Sequence, residues 1–146
     1  MKLKFTVSAK IQRPRSEVFD AVYNPKKLSK YFTTGGASAP LNPGTTVTWS
    51  FHDYPGAFPV QVKDVVPNEL IVFTWEVEGG GYDTRVEMKF ESLDERSTLL
   101  TITESGWKEN PKGLKSSYGN CHGWTQMSCS LKVYIEHGIN LRENFY

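Results

Sequence analysis

Residues 111–138 read PKGLKSSYGNCHGWTQMSCSLKVYIEHG, and within them Tyr118, Cys121, Trp124, Thr125, Ser128, Leu131, Tyr134 and Ile135 recur at three- and four-residue steps. That period gathers side chains on one stripe of an α-helix, and Gly138 suits a left-handed cap at its end. This is the long helix of the chain. Gly119 and Gly123 interrupt its first half, each costing about 1 kcal/mol relative to alanine, so something other than helix propensity keeps them. Close approach of another surface is the usual reason. A helix wall left thin beside a cavity is a second.

Upstream of the helix the period is two. Leu3, Phe5, Val7, Ala9 and Ile11 alternate with Lys4, Thr6, Ser8 and Lys10, which predicts a strand with one wet face. A short amphipathic helix follows from near Ser16 to before Asn24-Pro25, carrying Val18, Phe19 and Val22, and a second helical piece, PKKLSKYF, sets Leu28, Tyr31 and Phe32 on one side. From Pro43-Gly44 onward, turn signals every 8–12 residues mark five strands. Their apolar faces are Val47, Trp49 and Phe51 up to a Tyr54-Pro55-Gly56 turn, then Phe58, Val60 and Val62, then Leu70 to Val77 with apolar residues on both sides. After a Gly79-Gly80-Gly81 hairpin come Val86, Met88 and Phe90, and finally Leu100 and Ile102 in the strand from Thr98 to Glu104. This order predicts an α+β fold. A curved antiparallel sheet of six or seven strands wraps on the long C-terminal helix, with two short helices after the first strand, as one domain over residues 1–146. A twisted sheet cannot press flat along a straight helix, so a space opens where the two diverge.

Composition narrows the function. With 17 Lys+Arg against 16 Asp+Glu there is no broad field to recruit nucleic acid or an anionic membrane, and no apolar run approaches the length of a membrane helix. The N-terminus MKLKFTVSAKIQ has no apolar core of a secretory signal, which predicts a cytoplasmic protein. Cys121 and Cys129, eight positions apart on the helix and so about 12 Å apart, are expected as free thiols. No GxSxG, GxxxxGK[ST], HExxH or CxxC pattern occurs, and the three histidines lack ligand spacing, so neither a metal nor a cofactor is expected. Asp53 and Glu104 are the two acids in phase with inward faces, and either could enter a cavity with a raised pKa as general acid or base. Both also sit at predicted strand ends, where a solvated carboxylate at the rim is the plainer reading.

The segments RPRSEVFDAVYNPKKLSKYF, VTWSF after Pro43-Gly44, VVPNELIVFTWE, TITESGW and GWTQMSCSLKVYIEHGINLR together resemble the START-like helix-grip superfamily. Within it they are most similar to the branch of homologues of the activator of the 90-kilodalton heat-shock protein ATPase, which also takes in polyketide-cyclase-like proteins. The resemblance runs from about Leu3 to Arg142, and it rests on segments that mark a fold, none of them a catalytic signature. It implies a hydrophobic cavity closed by the C-terminal helix. Carried over by position, the candidate lining is Trp49, Phe51, Phe73, Trp75, Met88, Trp107, Tyr118, Cys121, Trp124, Met127 and Ser128. For any one of these residues core packing is the plainer reading; taken together, with the glycines of the helix, they favour a cavity. Three functions follow as expectations: binding of a small hydrophobic, lipid- or polyketide-like molecule; a cyclase- or hydrolase-like enzyme on such a substrate; or an adaptor for a protein partner such as a chaperone.

Overall fold

The computed structural model describes all residues from Met1 to Tyr146. In chain order the elements are β1 (Lys4–Ile11), α1 (Arg15–Tyr23), α2 (Pro25–Leu28), β2 (Gly36–Ala37), β3 (Thr46–Phe51), β4 (Tyr54–Val66), β5 (Leu70–Glu76), β6 (Asp83–Asp94), β7 (Ser97–Ser105) and α3 (Pro111–His137). The strands form one seven-stranded sheet in the order β1-β7-β6-β5-β4-β3-β2, every neighbour antiparallel. The α+β helix-grip architecture expected from the sequence is the one adopted.

Alternation predicts facing well. Val47, Trp49, Val60, Val62, Val86, Met88, Phe90, Leu100 and Ile102 all enter the core, and Leu28, Tyr31 and Phe32 join them from α2 and the turns after it. On β5, Ile71 and Phe73 face the core while Val72 is buried on the opposite side, where register sets it between Asp64 and Glu87.

The seventh strand, β2, is two residues long, too short for any period to show, and lies within the expected six or seven. Three local readings need correction. Helix α2 stops at Leu28 instead of running through PKKLSKYF. The β3–β4 turn is His52-Asp53, with Phe51 paired to Tyr54, so Tyr54-Pro55-Gly56 begins β4 instead of forming the turn. Finally, α3 is rotated from its predicted stripe: Tyr118 is 67% exposed and Thr125 faces solvent, while Gln126, Met127, Ser128 and Ser130 are buried. The segment after Gly138 folds back on α3 and covers part of this face. Its Arg142 Nη1 donates to Gln126 Oε1 at 3.5 Å, and Gln126 Nε2 donates to Ser130 Oγ at 2.7 Å. A polar flank is thereby buried that hydropathy alone marks as wet.

Helix α3 leans on one edge of the sheet, packing on β1 and α1. Its last turns are pinned there by Lys132 Nζ donating to the Lys10 carbonyl at 2.9 Å and by Glu136 Oε2 accepting from the Gln12 amide at 3.0 Å. At the far side the sheet parts. Thr48 spends its amide and carbonyl on Ser38 of the β2 side, so in the Thr48–Pro59 pair the Pro59 nitrogen points away from β3, toward β5. Proline has no proton to give there, and the β4–β5 ladder ends at the adjacent pair, Val60–Trp75. Beyond it β4 overhangs, paired to β3 alone. No helix is long and apolar enough to cross a membrane.

Candidate functional site

The overhang, the β5–β6 turn and the first half of α3 enclose a cleft of about 820 Å³. Its walls include Phe51, Phe58, Trp75 and Trp124, with Gly119 and Gly123 on the helix side. A Cβ added to either glycine would meet nothing within 4 Å. These glycines are therefore the thin wall of a cavity, and no approaching surface requires them.

Below the aromatic walls lies Glu104, with no exposed surface. Its Oε2 accepts from Trp75 Nε1 at 3.0 Å, Thr84 Oγ1 at 2.7 Å and Asn120 Nδ2 at 3.0 Å. Its Oε1 accepts from Trp124 Nε1 at 2.8 Å and Asn120 Nδ2 at 3.1 Å. Indole nitrogens can only donate, so both tryptophans are turned toward the carboxyl oxygens. No lysine, arginine or histidine pairs with it. Strand phase places Glu104: it continues the inward face of Leu100 and Ile102, and β7 pairs it with Val86 and Phe5. The cluster fixes both indole rings, 5.6 Å apart between centroids and tilted by 36°, and turns the Asn120 amide so that its Oδ1 has no donor from the protein.

The rim holds the other candidate acid. Asp53 lies in the β3–β4 turn and receives a two-pronged grip from Arg142, Nε to Oδ2 and Nη2 to Oδ1, both at 2.9 Å. Burial pushes the Asp53 pKa up, but the hydrogen bonds and charge of Arg142 outweigh it, and the group titrates below its usual range. The expectation of a raised pKa is overturned here. The Arg142 guanidinium also lies 4.7 Å over the Phe51 ring, with Tyr146 at 5.3 Å and Phe32 at 5.7 Å.

Of the eleven residues singled out from sequence, Phe51, Trp75 and Trp124 border the cleft. Trp49, Phe73, Met88 and Met127 are packed in the core, Trp49 with no partner for its indole N–H. Ser128 is buried against its own helix, donating to the Trp124 carbonyl at 2.9 Å. Trp107 packs on Phe5 at the β1 edge of the sheet, 5.6 Å between centroids, away from the cleft lining, and Cys121 is half-buried outside the cleft wall. Tyr118 projects into solvent for the reason of helix phase given above. Asn120 and Arg142 escaped the sequence reading because a lone Asn on a helix and a lone Arg beyond it carry no motif. No three His, Cys, Asp or Glu side chains converge as a metal-binding group.

Residues 12–136 match the family described as activator of Hsp90 ATPase homolog 1-like protein, most of the chain's length. The chain belongs to that family. Among solved structures, this activator-homologue-like chain is similar to a Staphylococcus saprophyticus protein at 27% identity and a TM-score of 0.80, covering 95% of this chain and 96% of that one. DynU16, a putative protein in the dynemicin biosynthetic locus, is similar at 25% identity and a TM-score of 0.82; the likeness covers 94% of this chain and about half, 49%, of that one. An HSP90 activator from Plasmodium falciparum shares the fold at 19% identity and a TM-score of 0.72, over 92% of this chain and 96% of that one. No curated protein matches the sequence.

Proposed function

We propose that this family member is a cytoplasmic binding protein for a small apolar or aromatic-bodied molecule, lipid- or polyketide-like in character, held in the cleft between α3 and the β3–β4 overhang. The observation that carries the reading is the cleft itself: about 820 Å³, walled by Phe51, Phe58, Trp75 and Trp124, with helix glycines that keep it open. That is the size and lining of a small-molecule site. The likeness to a protein of a biosynthetic locus supports it. Carriage fits better than turnover, because Asp53 is tied to Arg142 and Glu104 is enclosed by donors behind the wall.

The test is native mass spectrometry of protein purified from its own host, with any released compound identified, beside titration of a panel of apolar ligands followed by tryptophan fluorescence. A bound compound, or saturable quenching that Gly123→Leu abolishes while melting is unchanged, supports the reading. An empty protein that no ligand of the panel quenches overturns it.

A further inference from the structure

The cleft carries a charge imbalance that its apolar walls do not need. Four carboxylates border or underlie it, Asp53, Glu76, Glu78 and Glu104, against the single guanidinium of Arg142. Asp53 and Arg142 cancel one another across their 2.9 Å bonds. Glu76 and Glu78 stand at the mouth, and neither they nor Glu104 forms an ion pair. The Glu104 charge matters most because it is buried, so water and salt screen it least. It also acts through the walls: an indole that donates its N–H to a carboxylate is polarised toward a more electron-rich ring. Trp75 and Trp124 are both so polarised and both border the cleft, Trp75 half-buried and Trp124 2% exposed behind it. Arg142 shows that aromatic faces here seat a cation, at 4.7 Å over Phe51, yet no cation of the chain lies over Trp75 or Trp124. Asn120 Oδ1 adds an acceptor with no protein donor, on the same wall.

We infer that the ligand of this cleft is cationic: an amine or quaternary ammonium on a compact apolar or aromatic body, its positive centre against the half-buried Trp75 ring, above the Glu104 carboxylate, with Trp124 buried behind it. This deepens the proposed binding function and rests on it. Glu104 is a positioning and field-setting residue in this scheme, since it reaches the ligand only through the indoles and the Asn120 amide.

Three probes of matched length test it: 4-phenylbutyltrimethylammonium, 4-phenylbutanol and 4-phenylbutyrate, each titrated by tryptophan fluorescence. The cation is expected to bind about tenfold more tightly than the alcohol, and the butyrate most weakly. Glu104→Gln should lower the cation-to-alcohol ratio at least threefold, a selectivity readout that a purely structural role would leave unmoved. If that variant does not fold, the exposed pair Glu76→Gln/Glu78→Gln serves instead, and its smaller loss of selectivity should vanish in high salt, where the wild type's advantage at the mouth vanishes too. Equal binding of cation and alcohol overturns the charge assignment and leaves the binding function standing. Binding of none of the three, with no quenching by larger apolar ligands, overturns both.

Discussion

Two acids that the sequence marks alike end in opposite circumstances. Asp53 at the rim is paired with a guanidinium, its charge cancelled within 2.9 Å, and it titrates below its ordinary range. Glu104 beneath the floor has five hydrogen bonds and no cation. The rim pair is a staple, holding the turn of the overhang to the segment after α3. The floor acid organises instead, its two oxygens setting the angle of two indoles and an amide. A carboxylate satisfied by neutral donors keeps its field, whereas one satisfied by arginine loses it.

The sharpest way to break that contrast is Glu104→Leu. It strands four donor groups, two of them, Thr84 Oγ1 and Trp124 Nε1, in buried bonds, and each buried unmet donor costs about 1–3 kcal/mol, so a loss of at least about 3 kcal/mol is expected in urea unfolding. A loss below about 1 kcal/mol would mean that water already serves the cluster. Arg142→Ala should cost about 3 kcal/mol, the usual penalty for leaving one member of a nearly buried pair alone. The same pair has a pH signature. The folded Asp53 pKa lies below its ordinary 3.8, so the pair's contribution is present above that value and is lost as pH falls through the folded pKa. Asp53→Asn should therefore flatten the acid limb of the stability curve below about pH 4, leaving the parts that Glu87 and Glu136 contribute. Trp75→Phe and Trp124→Phe should each cost about 1–2 kcal/mol, and the double variant should depart from additivity by at least about 0.5 kcal/mol because both indoles share one acceptor. Additive losses would show that Glu104 serves them separately. The smallest effect is also the most informative about the wall: Gly123→Ala should stabilise the protein by about 1 kcal/mol while weakening ligand binding, since its methyl group enters only the cleft.

Much of this was legible in the chain. Period two placed β1, β3, β6 and β7, and Val86, Phe90 and Ile102 could be assigned inward because alternation leaves them one side to face, whereas β5 is apolar on both sides and Trp49 and Met88, singled out as cavity lining, proved to be core. Glu104 could be flagged, since a carboxylate in phase with Leu100 and Ile102 breaks the pattern of its strand. Its partners could not, because Trp75, Asn120 and Trp124 come from β5 and α3, and only the tertiary fold brings them to one point. Asp53 was read at a strand end when it is turn; its place at the rim was legible, but its Arg142 partner was not. The rotated face of α3 was hidden for a related reason: Gln126 and Ser130 are buried by a tail whose return path no local pattern records. Pro59 was visible throughout, but its meaning depends on which edge its nitrogen faces, and that is a matter of register.

Pro59 also sets a timescale. Residues 54–59 are laddered on one side only and bury no side chain fully, so their amides should exchange with deuterium through small local openings. Those of β6 and β7, bonded on both flanks, should wait for the whole domain to unfold. One wall of the cleft is therefore held by a single ladder and the Asp53–Arg142 pair, the other by the Glu104 cluster, and on the proposed reading a guest would leave past the wall with the fewer bonds.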